Sequence, residues 1–234
     1  MQFDIITIFP KIFDSYFSDG ILSRALKENK IKINIHNLRK YSNNKHNKVD
    51  DAPYGGGVGM IIKVEPVYRA LLDLKIIKKD GTRSKRFATN TKVFLMSAKG
   101  SKYNQKSAME LADLKRIVLI CGRYEGVDER VAKYLVDGEI SVGEYILTGG
   151  EIPAMIIVDS VSRLILGVLG NEKSLDNESF SKNGYLEHPY YTRPDIFSPE
   201  KSIQWQVPEV LQSGDHQKID EWKQKHSKTS SDIE

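Results

Sequence analysis

Apolar positions along the chain fall into short continuous runs separated by stretches of helical spacing. Phe3 to Phe9 is an apolar run closed by Pro10, the pattern of a short buried strand. Ile21, Leu22, Ala25 and Leu26 share one face of a helix expected over 21–30. Ile31, Ile33 and Ile35 alternate with polar residues, as a half-buried strand requires. Glu65 to Ile77 and Gln105 to Leu114 have helical spacing, while Val93 to Met96, Arg116 to Cys121 and Glu139 to Val142 read as strands. A helix ending at Leu135 separates the last two strands. Ile152 to Leu169 reads as a buried helix. Asp159, Ser160, Ser162 and Arg163 interrupt it too often for a membrane span. Alternation of strand and helix predicts an α/β domain on a parallel sheet.

The pattern changes after Gly170. Residues 171–187 are polar and without period, and are expected to be a flexible linker between a 1–170 domain and a small one over 188–234. That second segment starts Pro-rich, turns helical around Gly214 to Lys225 and frays after Ser227, so it is expected to be mostly helical. Two long polar segments interrupt the first domain. Lys78 to Asn90 reads as a basic surface loop. Arg39 to Gly59 ends in Asp50-Asp51-Ala52-Pro53-Tyr54-Gly55-Gly56-Gly57-Val58-Gly59, and irregular loops of that length carry function or are disordered.

Composition narrows the classes. With 234 residues, 40% of them hydrophobic, the chain can bury a sizeable core. A net charge of +4 permits a nucleic-acid partner without requiring one. Cys121 is the only cysteine, which rules out an internal disulfide or a thiolate metal cluster and fits a reducing compartment. The N-terminal run lacks the basic start and cleavage signal of a secretory peptide, so a cytoplasmic protein that does not enter the membrane is expected.

Three glycine-bearing segments follow three expected strands: Ser97 to Gly100, Gly122 to Gly126 and Gly143 to Gly150. Ligands of open parallel sheets bind outside the carboxyl ends of the strands, and glycine lets backbone approach a ligand closely. Other chemistries find no support. The run Gly55 to Gly59 lacks the Lys-Ser/Thr of a phosphate-binding loop, and no Gly-x-Gly-x-x-Gly follows the first strand. The five histidines are scattered without zinc-ligand spacing, and no Gly-x-Ser-x-Gly elbow is present. Two basic and aromatic clusters, Arg39-Lys40-Tyr41 with Lys45, His46 and Lys48, and His188 to Pro194, suit stacking on unpaired bases and contacts with phosphates.

Taken in order, Val49 to Gly57, Cys121-Gly122-Arg123-Tyr124-Glu125-Gly126-Val127-Asp128-Glu129-Arg130, Ser141 to Pro153, Asp159-Ser160-Val161-Ser162-Arg163, Leu166 to Gly170 and Tyr191-Thr192-Arg193-Pro194 resemble the bacterial tRNA (guanine-37-N1)-methyltransferases, the TrmD type of the SPOUT class. The resemblance spans about residues 1 to 226. It implies a deep trefoil knot in the α/β domain, which general topology rules would have excluded. It also implies a homodimer whose active site is shared between subunits, methyl transfer from S-adenosylmethionine to N1 of guanine 37 of tRNA, and dependence on Mg²⁺. No protein metal cage is implied.

Positions matching the family's cofactor contacts are Ser97, Ala98, Gly122, Tyr124, Glu125, Val142, Gly143, Glu144, Tyr145, Ile146, Leu147, Gly149, Gly150 and Pro153. Its catalytic residues match Glu178, where many members carry Asp, and Arg163. Of the carboxylates in the polar stretch, Glu172, Asp176, Glu178 and Glu187, only Glu178 stands in the matching Glu-Ser-Phe setting. Candidate RNA contacts are Lys48, Asp50, Tyr54, Gly55, Gly56, Tyr190, Tyr191 and Arg193. The chain departs from the family at its acidic C-terminus, where a basic tail is common. Rival readings are a ribose 2′-O methyltransferase of the same class, a non-catalytic RNA-binding protein, and a nucleotide-binding metabolic enzyme.

Overall fold

The computed structural model describes residues 1–84, 89–171, 175, 178–182 and 184–229. Glu172 and Asp176 lie outside them. The chain divides into two compact units, Met1–Gly170 and Asn171–Glu234.

The first unit opens with β1 (Gln2–Thr7), a 3-10 turn over Pro10–Phe13, and helices α1 (Asp14–Phe17) and α2 (Gly20–Lys27). Strand β2 (Lys32–Asn37) follows, then the short antiparallel pair β3 (Asp50–Asp51) and β4 (Ile61–Ile62) and helix α3 (Val64–Asp73). Next come β5 (Thr91–Lys102), α4 (Gln105–Ala112), β6 (Arg116–Cys121), α5 (Glu129–Tyr134), β7 (Gly138–Ser141) and α6 (Glu151–Ser162). The five long strands form one parallel sheet in the order β2-β1-β6-β5-β7.

Helices cover both faces, which is why β1 and β6 read as continuous apolar runs. Phe3, Ile5, Ile117 and Leu119 point to one side and pack with Phe13, Phe17, Ala154, Ile157 and Val161. Ile6, Val118 and Ile120 point to the other and pack with Val67, Leu71 and Val131. No helix among the described residues is long and apolar enough to cross a membrane.

One charged residue is buried inside this sheet. Asp4, on the interior strand β1, is 1% exposed. Its carboxylate accepts hydrogen bonds from His36 Nε2 (2.7 Å), Arg116 Nε (2.7 Å), Gln2 Nε2 (2.7 Å) and Asn34 Nδ2 (3.0 Å). Burial alone would raise its pKa, but the hydrogen bonds from His36 and Arg116 outweigh burial and hold it at about 2, below the usual 3.8. A folded-state pKa below the unfolded one stabilises the fold above pH 4, and that contribution is lost as the pH falls through 2. The loss expected across this window is about 2 kcal/mol. Chemical denaturation measured from pH 4 to 2 checks it: the acid limb should flatten in Asp4→Asn.

Two expected boundaries move. The segment Ser97 to Gly100 was expected to be a loop beyond a strand ending at Met96, but β5 continues through it to Lys102. Met96 and Ser101 both stand opposite Ile140, so 97–100 bulges out between two pairings with the same strand. Gly100 permits this, because a Cβ there would lie 2.4 Å from the Glu139 carbonyl carbon on β7. The expected helix from Ile152 to Leu169 ends at Ser162. Tight turn bonds from Leu164 N–H to Val161 O (3.1 Å) and Ile165 N–H to Ser162 O (3.1 Å) close it, and Gly167 turns the chain at φ +77°.

In the second unit β8 (Tyr185–Leu186) pairs with β11 (Lys228–Thr229), and β9 (Ile196–Glu200) forms a hairpin with β10 (Ile203–Gln206). Helices α7 (Glu209–Gln212) and α8 (His216–His226) complete its described part. The expectation of a mostly helical unit is corrected here: strand and helix contribute comparably. Within the expected linker, the chain around Glu178 forms a hydrogen-bonded turn. Ser181 N–H donates to Glu178 O (2.9 Å) and Phe180 N–H to Tyr185 O, with Phe180 at φ +67°.

Candidate active site

The three glycine-bearing segments, the bulge within β5 and the segments after β6 and β7, meet around one cavity of about 280 Å³. Its lining includes Ser97, Ala98, Gly122, Tyr124, Glu125, Val142, Gly143, Tyr145, Ile146, Leu147, Gly149, Gly150 and Pro153. Glu144 is not among the lining residues. Its carboxylate turns to Lys102 Nζ at 3.1 Å. Apolar walls from Leu95, Ile140, Val142, Leu147 and Pro153 face carboxylates at Glu125, Glu129 and Glu139 and cations at Lys99 and Arg123. That mixture suits a ligand combining a flat heterocycle with a charged amino-acid end.

Backbone geometry builds the cavity. Tyr124 adopts φ +61°, an unfavourable conformation for a side-chain-bearing residue, and Gly126 follows at φ +125°. Gly150 presses on the end of β6: its N–H donates to Gly122 O (2.9 Å), and a Cβ there would lie 2.7 Å from Cys121 Cα. Burial, with the Glu151 carboxylate nearby, pushes the Cys121 thiol well above its usual range, so it is protonated and inert at neutral pH.

Sequence reasoning passed over the polar residues behind the cavity wall. Glu151 opens α6, is 1% exposed, and accepts from Thr7 Oγ1 (2.7 Å) and Arg123 Nε (2.8 Å). Arg123 Nη1 also donates to Thr148 O (3.2 Å). The available signal was a carboxylate directly after two glycines at the head of an otherwise apolar helix.

The Gly-rich loop 55–59 is stitched to the second of these segments. Glu125 N–H donates to Met60 O (3.1 Å), Ile62 N–H to Gly126 O (3.0 Å) and Asp128 N–H to Ile62 O (2.9 Å). Gly59, at φ +99°, lies against Glu125: a Cβ there would stand 2.6 Å from its Cγ. Of the RNA candidates on this loop, Tyr54 is fully exposed and Gly55 and Gly56 have open space around them. Asp50 is buried on β3, and Lys48 reaches Asp51 only at 4.0 Å. Lys63 at 3.2 Å lowers the pKa of the exposed Asp51 carboxyl.

Tyr190, Tyr191 and Arg193 belong to the second unit and are exposed. Tyr190 stacks beside His188 (4.5 Å between ring centres), and Tyr191 meets Trp222 edge-on at 6.2 Å. The Tyr190 hydroxyl donates to Glu187 Oε1 (2.6 Å), and that bond raises its pKa to about 12.

Arg163 does not line the cavity of the glycine segments. Arg163 lines a second cavity of about 400 Å³ with Tyr16, Asp19, Ile21 and Asp159, where the Tyr16 hydroxyl donates to Asp159 Oδ2. Glu178 belongs to the second unit. No group of three or more His, Cys, Asp or Glu positioned to hold a metal occurs among the described residues.

Comparison with known proteins gives the family. The family model described as tRNA (Guanine-1)-methyltransferase TrmD matches residues 1–233. A tRNA (guanine-N(1)-)-methyltransferase of Dehalococcoides mccartyi (strain ATCC BAA-2266 / KCTC 15142 / 195) is 47% identical over 227 residues, covering 97% of this chain and 86% of that protein. Proteins of the same name from Clostridioides difficile (strain 630) and Bacillus cereus (strain AH820) are 46% and 45% identical, over 97% of this chain and 92% and 87% of theirs. With the match running through all three glycine segments, the chain belongs to the TrmD family of tRNA (guanine-1)-methyltransferases.

Proposed function

We propose that this protein transfers a methyl group from S-adenosylmethionine to N1 of guanine 37 in tRNA, beside the anticodon. The observation that carries the reading is the cavity in which the bulge within β5 and the glycine segments after β6 and β7 meet, in a chain of this family. When bound, S-adenosylmethionine supplies an electrophilic methyl group on a sulfonium. Val142, Leu147 and Pro153 would enclose its apolar part, and Glu125 and Glu139 would face its positive charge. Backbone at Gly122, Gly143 and Gly150 would approach it closely.

The acceptor makes its own demands. Guanine N1 carries a proton at neutral pH, so a base must remove it, and negative charge then builds on O6. Glu178 is our base and Arg163 the cation at O6. Because Arg163 opens onto a different cavity from the glycine segments, one chain by itself does not assemble the site within its first unit. The proposed site is shared in a homodimer, with Glu178 supplied from the second subunit. Exposed Ile152 and Ile156, one turn apart on α6, with Tyr145 and Ile146, offer apolar surface for such a partner. The trefoil knot and a cytoplasmic location belong to the same proposal. Mg²⁺ enters by resemblance alone, and no step is assigned to it.

A guanine in the anticodon loop is unpaired and can enter a pocket without melting a duplex. Lys48, Asp50, Tyr54, Gly55 and Gly56 on one segment and Tyr190, Tyr191 and Arg193 on the other are its proposed contacts. The test is methyl transfer from labelled S-adenosylmethionine to a tRNA with guanine at position 37, beside the same tRNA with adenine there. N1-methylguanosine from the first alone is the expected product. A 2′-O-methyl nucleoside, or no product, overturns the proposal.

A further inference from the structure

We infer that Glu151 is a positioning residue for the methyl transfer, holding Arg123 and through it one wall of the cofactor cavity. The inference rests on reading that cavity as the S-adenosylmethionine site. Four strands of observation converge on it. The Glu151 carboxylate is withdrawn from water, at 1% exposure, yet both oxygens are engaged: Oε1 accepts from Thr7 Oγ1 (2.7 Å) and Oε2 from Arg123 Nε (2.8 Å). Thr7 ends the interior strand β1, and its hydroxyl oxygen also accepts from Phe9 N–H (2.9 Å). The ring of Phe9 lies under the Arg123 guanidinium, 4.8 Å from carbon to ring centre. Arg123 in turn donates to Thr148 O (3.2 Å) and pairs through its backbone with Gly149.

The anchored segment, Thr148 to Gly150, belongs to the loop between β7 and α6, which has no regular structure to stiffen it. Gly149 shows how closely the clamp is fitted: a Cβ there would lie 2.2 Å from Arg123 Nε and 2.7 Å from Glu151 Oε2. A buried carboxylate with its partner removed is costly, and the part-exposed Arg123 guanidinium loses its anchor without that carboxylate. The pair therefore has one low-energy arrangement, and that arrangement places the cavity wall. Its likeness to the outer hydrogen bonds that orient ligands around a metal is one of principle: the group that binds is set by the group behind it.

The experiment is calorimetric titration of the intact protein with S-adenosylmethionine, well below the melting temperature of each variant. Glu151→Gln and Arg123→Gln are each expected to weaken binding about tenfold or more, and the double variant no further than either, since one clamp is lost in all three. In steady state the KM for S-adenosylmethionine rises while that for tRNA stays near the parent value. Ile157→Val, a truncation in the core on the same helix, lowers stability but leaves cofactor affinity unchanged. Thr7→Val removes a single bond to Glu151, is gentler on folding, and gives a smaller loss in the same direction. Unchanged affinity in folded Glu151→Gln or Thr7→Val overturns the inference, as does an equal loss in Ile157→Val. Failure of the parent protein to bind S-adenosylmethionine overturns the reading of the cavity, and the clamp with it.

Discussion

Glu178→Gln is expected to bind S-adenosylmethionine as the parent does and to transfer methyl about 10²–10⁴-fold more slowly, the loss typical of a missing general base. Glutamine keeps the length and one carbonyl oxygen of glutamate but cannot accept the guanine N1 proton. The surrounding turn carries main-chain bonds at Ser181 and Phe180, and Ser179 Oγ accepts from Glu187 N–H (3.0 Å). The melting temperature of the variant beside that of the parent checks that the second unit stays folded. Single-turnover methylation with saturating cofactor, alongside a cofactor titration, separates the two effects. Parent-like turnover in Glu178→Gln would remove Glu178 from the mechanism and leave the base to be found elsewhere. The role proposed for Arg163 is different, since charge on O6 appears only as the proton leaves.

Gly150→Ala is expected to damage the cofactor cavity directly. The new methyl would lie 2.7 Å from Cys121 Cα and 2.9 Å from both Gly122 N and Met96 Cβ. Two of these atoms belong to the main chain at the end of β6 and the start of its loop, and the strand is fixed between β1 and β5. The strain cannot be relieved by rotating a side chain, so the loop carrying Gly150 must move. Overpacking of this kind costs about 1–3 kcal/mol. Drawn from binding, a 2–3 kcal/mol cost corresponds to cofactor affinity about 30- to 150-fold weaker. Gly170→Ala is the matched control, since a Cβ at Gly170 meets nothing within 4 Å. Titration of both variants with S-adenosylmethionine, together with their melting temperatures, checks the contrast.

The two experiments probe separate parts of one arrangement. In the proposed mechanism Gly150 shapes the place where the methyl donor is held, while Glu178 acts on the acceptor. A cavity defect appears in cofactor affinity, and loss of the base appears in the chemical step after both substrates are bound.

Sequence by itself determined the elements whose cause is local. A strand between two helical layers must be apolar on both faces, so Arg116–Cys121 could be located to the residue from its continuous run. The half-buried edge strand β2 showed itself through Ile33 and Ile35, and the glycine segments through residue type alone. Ordered motifs also sufficed for the family. Tertiary structure decided what depends on distant partners. Whether Ser97 to Gly100 leaves the sheet or bulges within it turned on the backbone of β7, and the end of α6 on the turns that follow Ser162. Only folding brings Thr7 to Glu151 across 144 positions, and only folding puts Arg163 in a cavity apart from the glycine segments. The physical reason is the same throughout. Periodicity records which side of an element is buried, whereas the partner of a buried charge is chosen by the packing of elements far apart in the chain.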